Sequence, residues 1–150
     1  MIKIAYKEWA YNPDKRDLEI KNASRAFKDM QDFLDFIMNQ DYESIELTVC
    51  KSEILYTICP TYSIAIRKSP LIKNDIAYLS LFPDPRFERV HQWDIEKIWL
   101  NDVLIADLKF GQGDSYVSEE FMKKVVIPLY DYFPSDLITD EVGLLNKNSD

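Results

Sequence analysis

Glycine is nearly missing from this chain, with 3 in 150 residues, and cysteine (2) and histidine (1) are as scarce. Each scarcity removes a class of chemistry. Nucleophilic catalysis of the Ser-His or Cys-His kind needs a positioned imidazole. His91, in "RVHQWD", is the only one, and nothing nearby in the sequence marks a partner for it. Two cysteines nine positions apart and one distant histidine do not make zinc-ligand spacing. Gly111 and Gly113 lie in "FGQGDSYVSEEF", residues 110 to 121, but their spacing matches neither the dinucleotide fingerprint nor the G-x-x-x-x-G-K-[ST] loop. Asp114, Glu119 and Glu120 also put carboxylates where a phosphate would have to bind. The glycines read as turn residues, and the two glutamates as acids at the positive end of a helix dipole.

Long apolar runs are missing too. None approaches a membrane span, and "MIKIAYKEWAYNPDKRD" holds no signal-peptide core, so the expected compartment is the cytoplasm. Cationic surface is in deficit: 18 Lys+Arg against 26 Asp+Glu leave a formal charge of -8. That balance disfavours nucleic acid and anionic membrane as partners and favours a protein with a basic surface.

What is present is material for a core. The chain is 47% hydrophobic and 13% aromatic, and at this length folding buries roughly 68–70% of the unfolded surface. The sequence reads as a single domain over residues 1–134 with a polar, partly flexible tail over 135–150. If "SIELTVC" and "EILYTIC" form a hairpin around Lys51-Ser52, Cys50 and Cys59 stand about six residues, or roughly 20 Å, apart. A disulfide needs Cα atoms within about 7 Å. The two read as reduced, half-buried thiols.

"IKIAYKEW" (2 to 9) reads as a strand followed by the turn chemistry of "AYNPDKRD". Ala26, Phe27, Met30, Phe33, Leu34, Ile37 and Met38 recur at steps of three and four and predict a helix from Ser24 to Asn39, capped by Asn22 or Ser24. "SIELTVC", "EILYTIC", "TYSIAIRK" and "DIAYLSLF" carry the period-two, β-branched character of strands, with Pro60, Pro70 and Pro83 between them. "PDPRFERVHQWD" reads as an irregular loop. "IEKIWLNDVLIADLKF" is a hairpin turning at Asn101-Asp102, in a register that sets Glu96 opposite Asp107. A second helix is predicted from Ser118 to Phe133, capped by Ser118 and kinked or restarted at Pro128. The expected architecture is α+β: a twisted, mainly antiparallel sheet of about six to seven strands with two helices on one face.

On a helical wheel Phe36 falls among Arg25, Asp29, Asp32 and Asp35, away from the apolar stripe. Two readings stand: an aromatic anchor with an acidic rim for a partner, or a ring covered by the loop "AYNPDKRDLEI". Trp93 is the tryptophan expected to be exposed, and on the second helix Ile127 points toward Glu120 and Asp131. These define a candidate partner-binding set: Asp29, Asp32, Asp35, Phe36, Trp93, Glu120 and Asp131. No residue is assigned to catalysis, a cofactor or a metal. The function implied by this physical type is a small acidic inhibitor, as in bacterial toxin immunity, that fills a basic and nuclease-like cleft. The abundance of Lys, Ile, Asn and Asp fits an AT-rich bacterial or phage genome. The alternatives are an enzyme with a carboxylate or His91 site and a small-ligand-binding module.

Overall fold

Alternation along each strand decides which side chains reach the core, and here the long strands inside the sheet bury the same face. The computed structural model describes residues 1–38, 42–58, 63–86, 89–109 and 114–145. The strands are β1 (Ile2–Asn12), β2 (Asp17–Phe27), β3 (Tyr42–Lys51), β4 (Ile54–Ile58), β5 (Ile64–Lys68), β6 (Ile76–Pro83), β7 (Val90–Leu100), β8 (Val103–Asp107), β9 (Tyr116–Val117) and β10 (Ile138–Asp140). They form one open sheet in the order β10-β5-β4-β3-β6-β7-β1-β2, with β8 on β7 and β9 on β8. All pairings are antiparallel except β10 with β5, which is parallel, so the sheet is mixed. The ten strands among the described residues exceed the six or seven expected.

The row Phe27, Ile2, Ile4, Tyr6, Ile95, Leu79, Leu47, Ile58 and Tyr56 follows cross-strand neighbours along one face. Helix α1 (Met30–Ile37) buries Phe33, Leu34 and Ile37, and its Phe33 ring lies 5.4 Å from Phe27. The second helix, over residues 119–132, buries Phe121, Val125, Val126, Leu129 and Tyr130. Its Tyr130 stacks on Tyr56 at 6.0 Å. Both helices thus cover the same face. The opposite face carries Thr48, Thr57, Ser80, Lys7, Trp9 and Asp94.

The second helix begins as expected, with the Ser118 hydroxyl accepting from Phe121 N at 3.1 Å. Pro128 has no N–H to give and crowds the preceding turn. The chain absorbs this with a π-helical turn over Met122–Val126, closed by Ile127 N–H donating to Met122 O, before α-helix resumes at Ile127–Tyr132.

Several expectations are corrected. The helix does not start at Ser24: residues 17–27 are strand β2, paired with β1 at eleven successive positions. Ala26 and Phe27 belong to that strand, and the cap is Asp29, whose carboxylate accepts from Asp32 N at 2.9 Å. The β3–β4 turn is Ser52-Glu53, both at positive φ (52° and 68°), one residue later than read, so Cys50 faces Leu55. Cys59 lies outside the described residues, as do Gly111 and Gly113. The "PDPRFERVHQWD" loop ends early, because β7 starts at Val90 and holds His91 and Trp93. Among the described residues, the segment read as a partly flexible tail includes a 3-10 turn (Ser135–Leu137) and edge strand β10. Asn101-Asp102 does turn the β7–β8 hairpin, with φ of 48° and 67°.

That hairpin does not keep the expected register. Bulges leave one extra residue at Glu96 against β1 and one at Ile105 within β8. Asp107 therefore faces Lys97 and not Glu96, which removes the like-charge pair that a regular ladder would create. The same bulges keep Ile95, Ile98, Ile105 and Ala106 all buried.

One edge of β7 is shared, by β6 at Trp93–Ile95 and by β8 at Lys97–Leu100, so the sheet forks there. Ser115 closes the fork. Its buried hydroxyl accepts from Ala77 N (3.0 Å) and Lys109 N (3.2 Å) and donates to Ala77 O (3.2 Å). Ser115→Ala leaves these groups without their partner and should cost about 2–3 kcal/mol, read as a lower urea midpoint with an unchanged m-value.

Cys50 is buried, its thiol 3.9 Å from Ile72 O. Burial pushes its pKa up, and Asp75 and Glu53 add to the shift. The thiolate is thus scarce near neutral pH. In a Cys59→Ser background, Cys50 should react with iodoacetamide at about pH 8 at least tenfold more slowly than a free thiol. In urea the rate should return to the free-thiol value.

Candidate functional site

The acids of α1 have local work. Asp29 caps the helix, Asp32 sits in its first turn where the dipole favours a negative charge, and Asp35 accepts from Gln31 Nε2 at 2.8 Å. All three are exposed. Phe36, however, does not stand alone among them. It is half-buried in an aromatic cluster, with its centroid 5.2 Å from Phe27, 6.2 Å from Tyr42 and 5.8 Å from Trp93. The Arg25 guanidinium covers it at 4.7 Å, an arrangement that satisfies the cation and shields the ring together. What covers Phe36 is strand β2 and its arginine, not a loop from residues 10–20. Trp93 is also half-buried, and its Nε1 donates to Glu8 Oε1 at 3.2 Å.

The structure therefore brings Phe36 and Trp93 into one cluster beside α1, but not Glu120 and Asp131. Those two are exposed on the second helix, which reaches the sheet at β4 through Tyr130. Glu120 pairs there with Lys124 at 3.0 Å, an i,i+4 surface contact of a few tenths of a kcal/mol.

A different apolar surface lies on the other face of the sheet. The β1–β2 hairpin runs past the end of β7, since Ala10 is the last β1 residue paired to it. Tyr11 opposes Leu18 and Trp9 opposes Ile20 across the hairpin. Tyr11 is 51%, Leu18 46% and Ile20 49% exposed, an apolar strip of the kind that marks an interaction site. Around it stand Asp14, Asp17 and Glu19, with Lys15 and Arg16. Lys15 and Asn12 both donate to Glu19 (3.2 and 3.0 Å), which holds the Glu19 carboxyl below the usual carboxylate range. The signal was in the sequence: Leu18 and Ile20 are two apart, as a strand requires, and Asn12-Pro13-Asp14 is a turn.

From Trp9 a groove of about 760 Å³ crosses the same face, lined by Lys7, Glu96, Lys97, Trp99, Asp107 and Lys109 among others. Two of its three carboxylates have a lysine beside them. Glu96 lies 3.7 Å from Lys7, and Asp107 faces Lys97. Buried Asp94 at its floor accepts three bonds, from Trp9 Nε1 (2.8 Å), Ser80 Oγ (2.8 Å) and Gln92 Nε2 (2.6 Å). With its oxygens engaged, Asp94 fixes Trp9 and ties β1, β6 and β7 together. His91 is the extra residue of a bulge against β1 and points to solvent away from the groove lining. Among the described residues no group of three or more His, Cys, Asp or Glu is placed to hold a metal ion. No helix among them is long and apolar enough to cross a membrane.

No protein-family model, curated protein or solved structure matches the chain.

If Phe36 serves the fold, Phe36→Ala should destabilise by about 2–3 kcal/mol, below the cost of a fully buried ring. Asp32→Lys should change stability by less than about 0.5 kcal/mol beyond the lost dipole contact. Parallel thermal melts of the two variants check this.

Proposed function

We propose that this protein is a small acidic protein-binding inhibitor, of the immunity type, that neutralises a toxin in the bacterial cytoplasm by occluding a basic cleft. The observation that carries the reading is the exposed strip Tyr11, Leu18 and Ile20 on a hairpin that projects past its neighbouring strand. Apolar and aromatic anchors inside a charged rim are the usual centre of a binding interface. The net charge of -8 supplies long-range attraction to a cationic partner and raises the encounter rate. Asp29, Asp32 and Asp35 on α1, with Glu120 and Asp131 on the second helix, contribute to that field. Phe36 and Trp93 shape the surface beside α1 and hold it rigid. The lysines beside Glu96 and Asp107 weigh against an acid-base enzyme, whose reacting carboxyls need separated environments.

A second reading rests on the groove itself. Trp9 and Trp99 on one open face, with lysines and carboxylates between them, suit a small ligand bearing both charges. Saturable quenching of tryptophan emission by free amino acids, lost in Trp99→Phe, would favour it.

For the inhibitor, the probe is the protein encoded immediately upstream, produced with this chain in one cell. Wild-type protein should relieve growth arrest and co-purify with that product. Leu18→Ser with Ile20→Ser should keep the circular dichroism spectrum yet weaken capture by roughly a hundredfold, as loss of two anchors predicts. Asp32→Lys with Asp35→Lys should slow association and flatten its salt dependence while leaving dissociation unchanged. Full capture by the Leu18/Ile20 variant, or no relief of arrest by wild type, would sink the reading.

A further inference from the structure

Strand β2 ends the sheet, and no strand pairs with its outer edge among the described residues. It is eleven residues long, contains no proline, and keeps register with β1 at every position without a bulge. Such an edge presents a row of backbone donors and acceptors to any extended chain, and proteins ordinarily blunt it with a bulge, a proline or charged side chains. Neither a bulge nor a proline is present in β2. Charged side chains are, but they are sorted by sign along the strand. Asp17 and Glu19 occupy its first half, Lys21 and Arg25 its second, and all four lie on the face that bears Phe27.

We propose that β2 pairs antiparallel with β2 of a second copy of this chain, about a twofold axis at Asn22. Antiparallel pairing of like strands must set residues of one face opposite each other, so the two positions of each pair add to an even number. The register centred on Asn22 is the one that uses the whole strand. It places Glu19 opposite Arg25 of the partner subunit and, by symmetry, Arg25 opposite Glu19 of the partner subunit. Lys21 then meets Ala23 of the partner subunit, and no like charges meet. A register one residue lower would bring Lys21 against its own copy. A parallel arrangement would set acid against acid. Opposite charges directly across an antiparallel pair stabilise it and like charges oppose it, so the edge is complementary to itself, as a twofold interface demands. A foreign strand would need the same sorted charges to fit as well, which favours a second copy as the occupant. The twofold leaves the two Leu18 and Ile20 strips on the same side of the joined sheets, so pairing does not depend on what the molecule binds and does not block it.

Sedimentation of the intact chain at tens of micromolar should give twice the chain mass of 17.7 kDa. Glu19→Lys and Arg25→Glu should each weaken the dimer by roughly tenfold, from two disrupted cross-strand pairs. The combined exchange Glu19→Lys with Arg25→Glu should restore it. A monomeric wild type overturns the proposal, and so does a dimer indifferent to both single reversals. Should a variant unfold, amide exchange of the unaltered protein decides. Protection along Asp17–Phe27 that rises with protein concentration supports pairing through β2, and protection independent of concentration overturns it. The readout is mass and exchange, not partner capture, so its failure is distinct from failure of the inhibitor reading.

Discussion

Strand β7 has two edges and three neighbours, and the molecule is organised around that excess. β1 takes the whole of one edge while β6 and β8 divide the other. A flat, regular ladder cannot split in this way, because the diverging strands would turn apolar side chains to solvent. Bulges at Glu96 and Ile105 re-aim the chain so that Ile95, Ile98 and Ile105 all remain inside. Ser115 then satisfies the backbone groups that the split leaves between β6 and the start of β9.

With one face so committed, the other is free to carry polar groups, along with the exposed Tyr11, Leu18 and Ile20 strip. Beneath the helices lie Ile, Leu, Val and Phe, whereas the uncovered face shows threonines, lysines and tryptophans. Asp94 is the exception that supports the rule. It is a buried carboxylate on the polar side, and three side-chain donors from different strands offset the cost of burying it. Trp9 and the groove wall owe their position to that carboxylate, and the projecting hairpin continues directly from it. The surface on which the functional reading rests is thus an extension of the rigid part of the sheet.

Much of this was legible in the residues. The four alternating runs from Ser44 to Phe82 are strands, Asn101-Asp102 turns a hairpin, Ser118 caps a helix, and Pro128 disturbs it. The misreadings share a cause. In β2 the apolar residues do not alternate strictly with polar ones, since as an edge strand it has solvent beside it and on much of both faces. Ala26 and Phe27 then mimic the start of the α1 stripe. Bulges leave no local trace, so Glu96 and Asp107 looked opposed when each has a lysine. Three residues of β10 gain strand character only from β5 alongside them, which no short window of sequence contains. Phe36 falls outside the apolar stripe of a helical wheel, but that side of α1 packs against Phe27, Arg25 and Trp93.

The pairing of β1 with β7 joins Ile2 to Leu100, and this bears on how the chain reaches its fold during synthesis. The β1–β2 hairpin is local and closes within microseconds once made, but its central neighbour emerges from the ribosome many seconds later. For that interval Ile2 and Ile4 lack β7 beside them, and both edges of the hairpin stand open. High separation between contacting segments slows folding in any case. Here it also sets a period in which the nascent chain is exposed to wrong association, so chaperone dependence should be governed by translation speed through the middle of the message.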